Sequence, residues 1–197
     1  MQIDFSEQSK DRLKELPCSA IQLTVHSKIE VRYNQNDDIC GACRGKCCKN
    51  HPGIYHPGDL GSTEEEVRTS ITEGLESGAM TIDWWEGSPV KNVEFDTNGY
   101  FVRASSIVDD GPFNGLWYGK CSRLRDDGCE LAWSDRPYQC RTLIPDTSHN
   151  CTSIDKRSTK RSLSIEWMPY WKWLSDLHGL HLESNGRAEF IAMLRTM

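Results

Sequence analysis

With 197 residues, 26% of them charged and 37% hydrophobic, the chain has the length and balance of one globular domain with a sizeable core. A net charge of −6 argues against a general binder of nucleic-acid backbones, which needs a broad basic face. No apolar run approaches the roughly 18–20 residues of a membrane helix, and MQIDFSEQSKDRLKEL lacks the apolar segment of a secretory signal. The expectation is a protein of the reducing cytoplasm with no membrane partner, where stable disulfides are uncommon.

In chain order, SEQSKDRLKEL predicts a short helix ended by Pro17, and AIQLTVHSKIEVRY alternates as one or two strands. DDICGACRGKCCKN, residues 37–50, is a thiol-dense loop. Ser62 or Thr63 caps a helix over TEEEVRTSITEGLESG, with Val67, Ile71 and Leu75 on one face and Gly78 as its stop. IDWWEG predicts an alternating strand with Trp84 in the core; the competing reading lets Asp83 and Glu86 line a pocket beside Trp84 and Trp85. VEFDTNGYFVR predicts a hairpin on a type I′ turn at Asn98-Gly99. RDDG, before Cys129, predicts a tight turn joining Cys121 and Cys129. SIDKRSTKRS, with Lys156, Arg157, Lys160 and Arg161, reads as a solvated loop before the last helices, with a local basic patch as the alternative. Pro169 opens a helix carrying Trp171, Leu174 and Leu177, and a last helix after Asn185 turns Phe190 and Leu194 inward. The fold class predicted is α+β: one small, loop-rich domain over 1–197 with short helices and β-hairpins. Its metal-binding core covers 37–151 and a helical segment 165–197.

The chemistry lies in the nine cysteines. An odd total fits a disulfide framework poorly, and the content is below the roughly 8–10% of a small disulfide scaffold. Cys18 stands apart and reads as a small buried hydrophobe. The other eight form two groups: Cys40, Cys43, Cys47 and Cys48, then Cys121, Cys129, Cys140 and Cys151. Cys40-x-x-Cys43 is the short step by which two thiolates on one turn reach one metal. Cys47 and Cys48 are adjacent, so in an extended chain they point to opposite sides. A multi-metal cluster accepts such a pair more readily than one tetrahedral ion. Each group alone supplies four thiolates for a separate site, or the two interleave around one composite site. Arg44, Lys46, Lys49, Arg123, Arg125, Arg136 and Arg141 would offset the negative charge of a thiolate-bound metal; the plainer reading makes them surface charges. His51, His56 and His149 are alternative ligands beside a thiol set already large enough.

CGACRGKCC, followed by Cys121, the Gly128-Cys129 step and RPYQCR, resembles the CxxCxxCC proteins, described as zinc- or iron-chelating domains and also called YkgJ-type cysteine cluster proteins. The resemblance rests on Cys40, Cys43, Cys47, Cys48, Cys121, Cys129, Arg136, Pro137, Cys140 and Arg141. One departure is visible: three residues separate Cys43 from Cys47, where the family's name implies two. A related motif in flagellin lysine methylases implies protein modification as one setting, with a protein partner or substrate. No G-x-G-x-x-G or other methyl-donor loop accompanies it.

The expected function is therefore a metal-binding cysteine-cluster protein holding an iron–sulfur cluster, in a redox or protein-modification role. The expected ligands are Cys40, Cys43, Cys47, Cys48, Cys121, Cys129, Cys140 and Cys151. The alternatives are a structural zinc module presenting an interaction surface, and metal storage or delivery. The residues name no catalytic group and leave open whether the protein is an enzyme.

Overall fold

The structure, a computed structural model, describes residues 28–30, 42–85, 98–109, 111–115, 118–144, 151–153 and 155–196. The helix expected before Pro17 lies outside these residues, as does most of the predicted strand region after it. Lys28, Ile29 and Glu30, which are described, carry no regular structure. The described residues form an α+β fold of short helices and small antiparallel sheets. Among them, no helix is long and apolar enough to cross a membrane.

The first helices are α1 (Pro57–Leu60) and α2 (Glu64–Ser77). Helix α2 follows from local chemistry alone. The Thr63 hydroxyl accepts from Glu66 N–H while the Glu66 carboxylate accepts from Thr63 N–H, which satisfies two orphan donors at once. Val67, Ile71 and Leu75 are fully buried on one face. Gly78 ends the helix at φ 75°, a conformation that side chains with a Cβ resist.

Strand β1 (Met80–Trp85) then pairs antiparallel with β2 (Gly99–Ala104), from Met80 opposite Ala104 to Trp85 opposite Gly99. The predicted strand over IDWW is therefore present. The predicted turn at Asn98-Gly99 is not: Gly99 stands within β2 opposite Trp85, and the strand's partner is Met80–Trp85. The expected first arm of that hairpin, 93–95, lies outside the described residues.

Two further segments extend the pair. Ile54 bridges Arg103 on the far edge of β2, and Phe113 bridges Ile82 on the far edge of β1. All six residues of β2 are buried, as expected for a strand with a neighbour on each edge. Helix α4 (Lys160–Glu166), a 3₁₀ turn at Met168–Tyr170, α5 (Trp171–Glu183) and α6 (Arg187–Leu194) complete the core. The predicted solvated loop at SIDKRSTKRS is partly helical, because Thr159 caps α4 through Ser162 N–H. Trp167 and Trp171 dock these helices on the sheet. Their indole N–H groups donate to the carbonyls of Tyr55 (2.9 Å) and Tyr100 (3.0 Å). Each ring brings a large apolar area and satisfies its one polar atom. Trp171, Leu174, Leu177, Phe190 and Leu194 all face inward, as the helical spacing predicts.

A charged group sits inside this core. Arg103, fully buried on β2, donates to Asp83 (3.1 Å) and forks onto both oxygens of Asp109 (2.9 and 3.0 Å). Asp109 also accepts from Thr81 Oγ1 (3.1 Å) and Ser106 N–H (2.6 Å). Hydrogen bonding on this scale lets a buried ion pair survive the loss of water. Asp83 is therefore neither solvent-facing nor a pocket residue. Asp109, held by Arg103 and by Ser106 N–H, anchors the loop that leaves β2.

Candidate metal centre

Three segments that lean on β2 carry Cys43, Cys47, Cys48, Cys121 and Cys140. The first is 42–56, which runs from the cysteine loop to the edge of β2. Tyr55 N–H donates to Val102 C=O and Ala104 N–H to Gly53 C=O, both at 3.0 Å. The second prolongs β2: Ser106 bridges Cys121, Ser122 N–H donates to Ser105 C=O (2.9 Å), and the hydroxyls of Ser105 and Ser122 meet at 2.8 Å. The third is α3 (Tyr138–Arg141), which opens after Pro137. It is fastened to the same edge by Gln139, whose N–H donates to Ile54 C=O and whose side-chain oxygen accepts from Ile54 N–H.

The cysteine loop itself is turned by two successive left-handed residues, Arg44 (φ 49°) and Gly45 (φ 65°), which lead into a 3₁₀ turn at Lys46–Lys49. Cys48 N–H donates to Gly45 C=O (2.9 Å) and His51 N–H to Cys47 C=O (3.4 Å). The turn curls the adjacent side chains towards each other, so the Sγ atoms of Cys47 and Cys48 stand 3.9 Å apart. Cys47 is exposed and Cys48 half-buried.

The two cysteine groups meet through the backbone. Cys121 N–H donates to Cys48 C=O (2.7 Å), and Gly119 N–H donates to Asn50 C=O (2.9 Å). Cys140 arrives from α3 against Gly53, where a Cβ would collide with its Sγ. Cys129 stands on β4 (Gly128–Cys129), paired with β3 (Leu124–Arg125) across the Asp126-Asp127 turn. The predicted turn before Cys129 is thus present, but it sets Cys129 opposite Leu124, while Cys121 bridges Ser106. Of the remaining expected ligands, Cys43 is half-buried on helical residues 42–43, and Cys151 is half-buried just before β6 (Thr152–Ser153). Strand β6 pairs with β5 (Leu143–Ile144). Cys40 and His149 lie outside the described residues. None of the seven described cysteines is in a disulfide.

The thiols feel one another. The hydrogen bond from Cys48 lowers the Cys47 pKa to about 6, with Arg136 adding a favourable charge. The same bond, then burial, then the charges of Cys47, Cys140 and Cys121 raise Cys48. Burial pushes Cys140 well up, and Cys47, Cys121 and Cys129 push it further. Cys121 is raised by burial and by Cys129 and Cys47, against the pull of Arg123. Cys47, Cys48, Cys121, Cys129 and Cys140 therefore form one electrostatically linked group drawn from both halves of the motif. Their donor chemistry is soft and suits zinc or iron–sulfur ligation. Among the described residues, however, no three His, Cys, Asp or Glu side chains are grouped as they would be around a metal ion.

The neighbouring cations divide their tasks. Arg136 bears on Cys47 and Cys140, and Arg123, paired with Glu130, bears on Cys121. Arg141 is buried and committed to the Asp59 carboxylate and to the carbonyls of Ile29 and Arg136. Asp59 in turn accepts from Tyr138 N–H (2.7 Å) and His56 N–H (2.9 Å), so this pair ties α1 to α3. His56 caps α1 through Nδ1, which accepts from Gly58 N–H (3.0 Å), and has a structural role there. Sequence reasoning missed Gly53 and Asp59. The signal for both was the compact HPGIYHPGD stretch directly after the first cysteines. No family model, curated protein or solved structure matches the chain.

Proposed function

We propose that this chain is a cysteine-cluster protein of the CxxCxxCC type. It binds an iron–sulfur cluster through thiolates drawn from Cys40, Cys43, Cys47, Cys48, Cys121, Cys129, Cys140 and Cys151, in a redox or protein-modification setting within a reducing compartment. The observation that carries the reading is the junction of the two cysteine groups. Cys48 C=O accepts from Cys121 N–H, and Cys140 packs on Gly53, so segments carrying the two cysteine groups adjoin. The thiol-rich donor set supports iron–sulfur chemistry, since clusters are held by cysteine thiolates. The vicinal pair points the same way, because a cluster offers more than one metal atom to adjacent sulfurs. When bound, such a cluster would supply one-electron transfer; Arg136 and Arg123 would offset its negative charge.

The test is analysis of protein purified without oxygen. Iron with acid-labile sulfide, and a visible absorption that bleaches on reduction, is the expected result. Colourless protein holding stoichiometric zinc would replace the reading with a structural zinc module. Metal that leaves to a weak chelator without loss of fold would replace it with storage or delivery.

A further inference from the structure

We propose that Cys47 and Cys48 form a two-thiol binding site for trivalent, thiophilic metalloids, of the class represented by organoarsenic(III) oxides. The inference rests on the cysteine-cluster reading only for its competition with a bound metal. The Sγ atoms are 3.9 Å apart, and both ends of the turn are fixed by hydrogen bonds to Gly45 C=O and from His51 N–H. The Cys48 carbonyl is held in addition by Cys121 N–H. Closing a chelate therefore needs side-chain rotation alone, and little ordering opposes it.

Exposure decides the ligand class. Cys47 is exposed, so the substituent of an organoarsenical stays in water while its arsenic reaches Cys48. A tetrahedral divalent ion needs four donors, whereas among the described residues only this pair of thiols is joined by a side-chain contact. Arsenic(III) bearing one organic group needs two sulfurs only, and thiolates are the soft ligands that suit it. The product is neutral, so no charge has to be buried.

The reaction balances without a redox partner. Two S–As bonds form and the As–O bond breaks. The oxygen leaves as water with the two thiol protons, and arsenic remains trivalent.

The probe is phenylarsine oxide, added to the full-length chain in metal-free and metal-loaded form and read by mass spectrometry. The metal-free chain should gain the reagent less one water. Cleavage after Lys46 and after Lys49 should place the adduct on the peptide 47–49, apart from Cys40 and Cys43. Cys47→Ser and Cys47→Ala should each weaken capture by about 100-fold, the loss of a second tethered ligand. Cys18→Ser, outside the proposed ligands, should leave it unchanged, and circular dichroism of each variant reports its fold. Undiminished capture by a folded Cys47 variant, or an adduct on Cys121 or Cys140, would overturn the inference. Failure of the metal-free wild type to react would overturn it too, leaving the iron–sulfur reading standing. Capture by a chain that takes up no metal under any condition would support the inference while that reading fails. Metal-loaded protein that resists the reagent would support both. Loaded protein that reacts while keeping its metal would support the two-thiol site and remove this pair from the proposed ligands.

Discussion

Two residues carry consequences far larger than their size. Gly53 has no side chain because the Cys140 sulfur occupies that space. Gly53→Ala should displace Cys140, destabilise the fold by about 1–3 kcal/mol as overpacking does, and lower metal retention. Urea denaturation and metal analysis of the variant check both effects; an alanine variant with wild-type stability would mean that the sulfur moves freely. Asp109 is the second. It receives the fork of Arg103 inside the core, so Asp109→Ala should cost about 3–5 kcal/mol by leaving a buried guanidinium without that partner. The shifts agree with this unequal sharing. Burial raises Asp83 beyond what Arg103 restores, whereas hydrogen bonds from Arg103 and Ser106 outweigh burial at Asp109 and lower it. Neither residue was legible in the sequence. Asp83 sits in an alternating run that reads as a strand with an outward acid, and its partner Arg103 is recognisable only once β1 and β2 are in register.

At the level of elements, legibility followed the range of the interactions. Helix α2 could be read whole, since Thr63, the Val67–Ile71–Leu75 face and Gly78 are all local signals. The β3–β4 turn was legible for the same reason. The Asn98-Gly99 turn misled, because a favourable dipeptide was outcompeted by pairing across the sheet with Met80–Trp85. Helix α5 adds a pH response. His178 stacks on Trp84 and Phe113 and bonds to the Tyr100 hydroxyl (2.9 Å), and His181 stacks on Phe113 beside Phe190. Burial lowers both pKa values below 6.5, and at His178 the charge of His181 lowers it further. The unfolded chain therefore binds these protons more readily than the folded one. The stability they confer is complete above pH 6.5 and declines as pH falls below it. The urea midpoint should drop between neutral and mildly acidic pH, and His178→Phe should reduce that drop. An equal drop in the variant would assign it to other groups.

Across the whole molecule, spacing in the sequence sorts the thiols into two groups but does not say how those groups meet. Spacing separates the two groups from Cys18, whereas their junction depends on backbone bonds between distant segments, such as Cys121 N–H to Cys48 C=O. The scaffold explains why the junction is stable. One edge of β2 receives Gly53–Tyr55, its extension receives Cys121, and α3, clipped to Ile54 by Gln139, sets Cys140 against Gly53. A metal held there would close the fold across all three. The most direct test is metal content per chain in anaerobically purified wild type, Cys43→Ser, Cys140→Ser and Cys18→Ser. The account predicts that Cys43→Ser and Cys140→Ser each lose metal and thermal stability together, while Cys18→Ser matches the wild type. Full metal in either of the first two variants, or loss in Cys18→Ser, would contradict a single centre built from both cysteine groups.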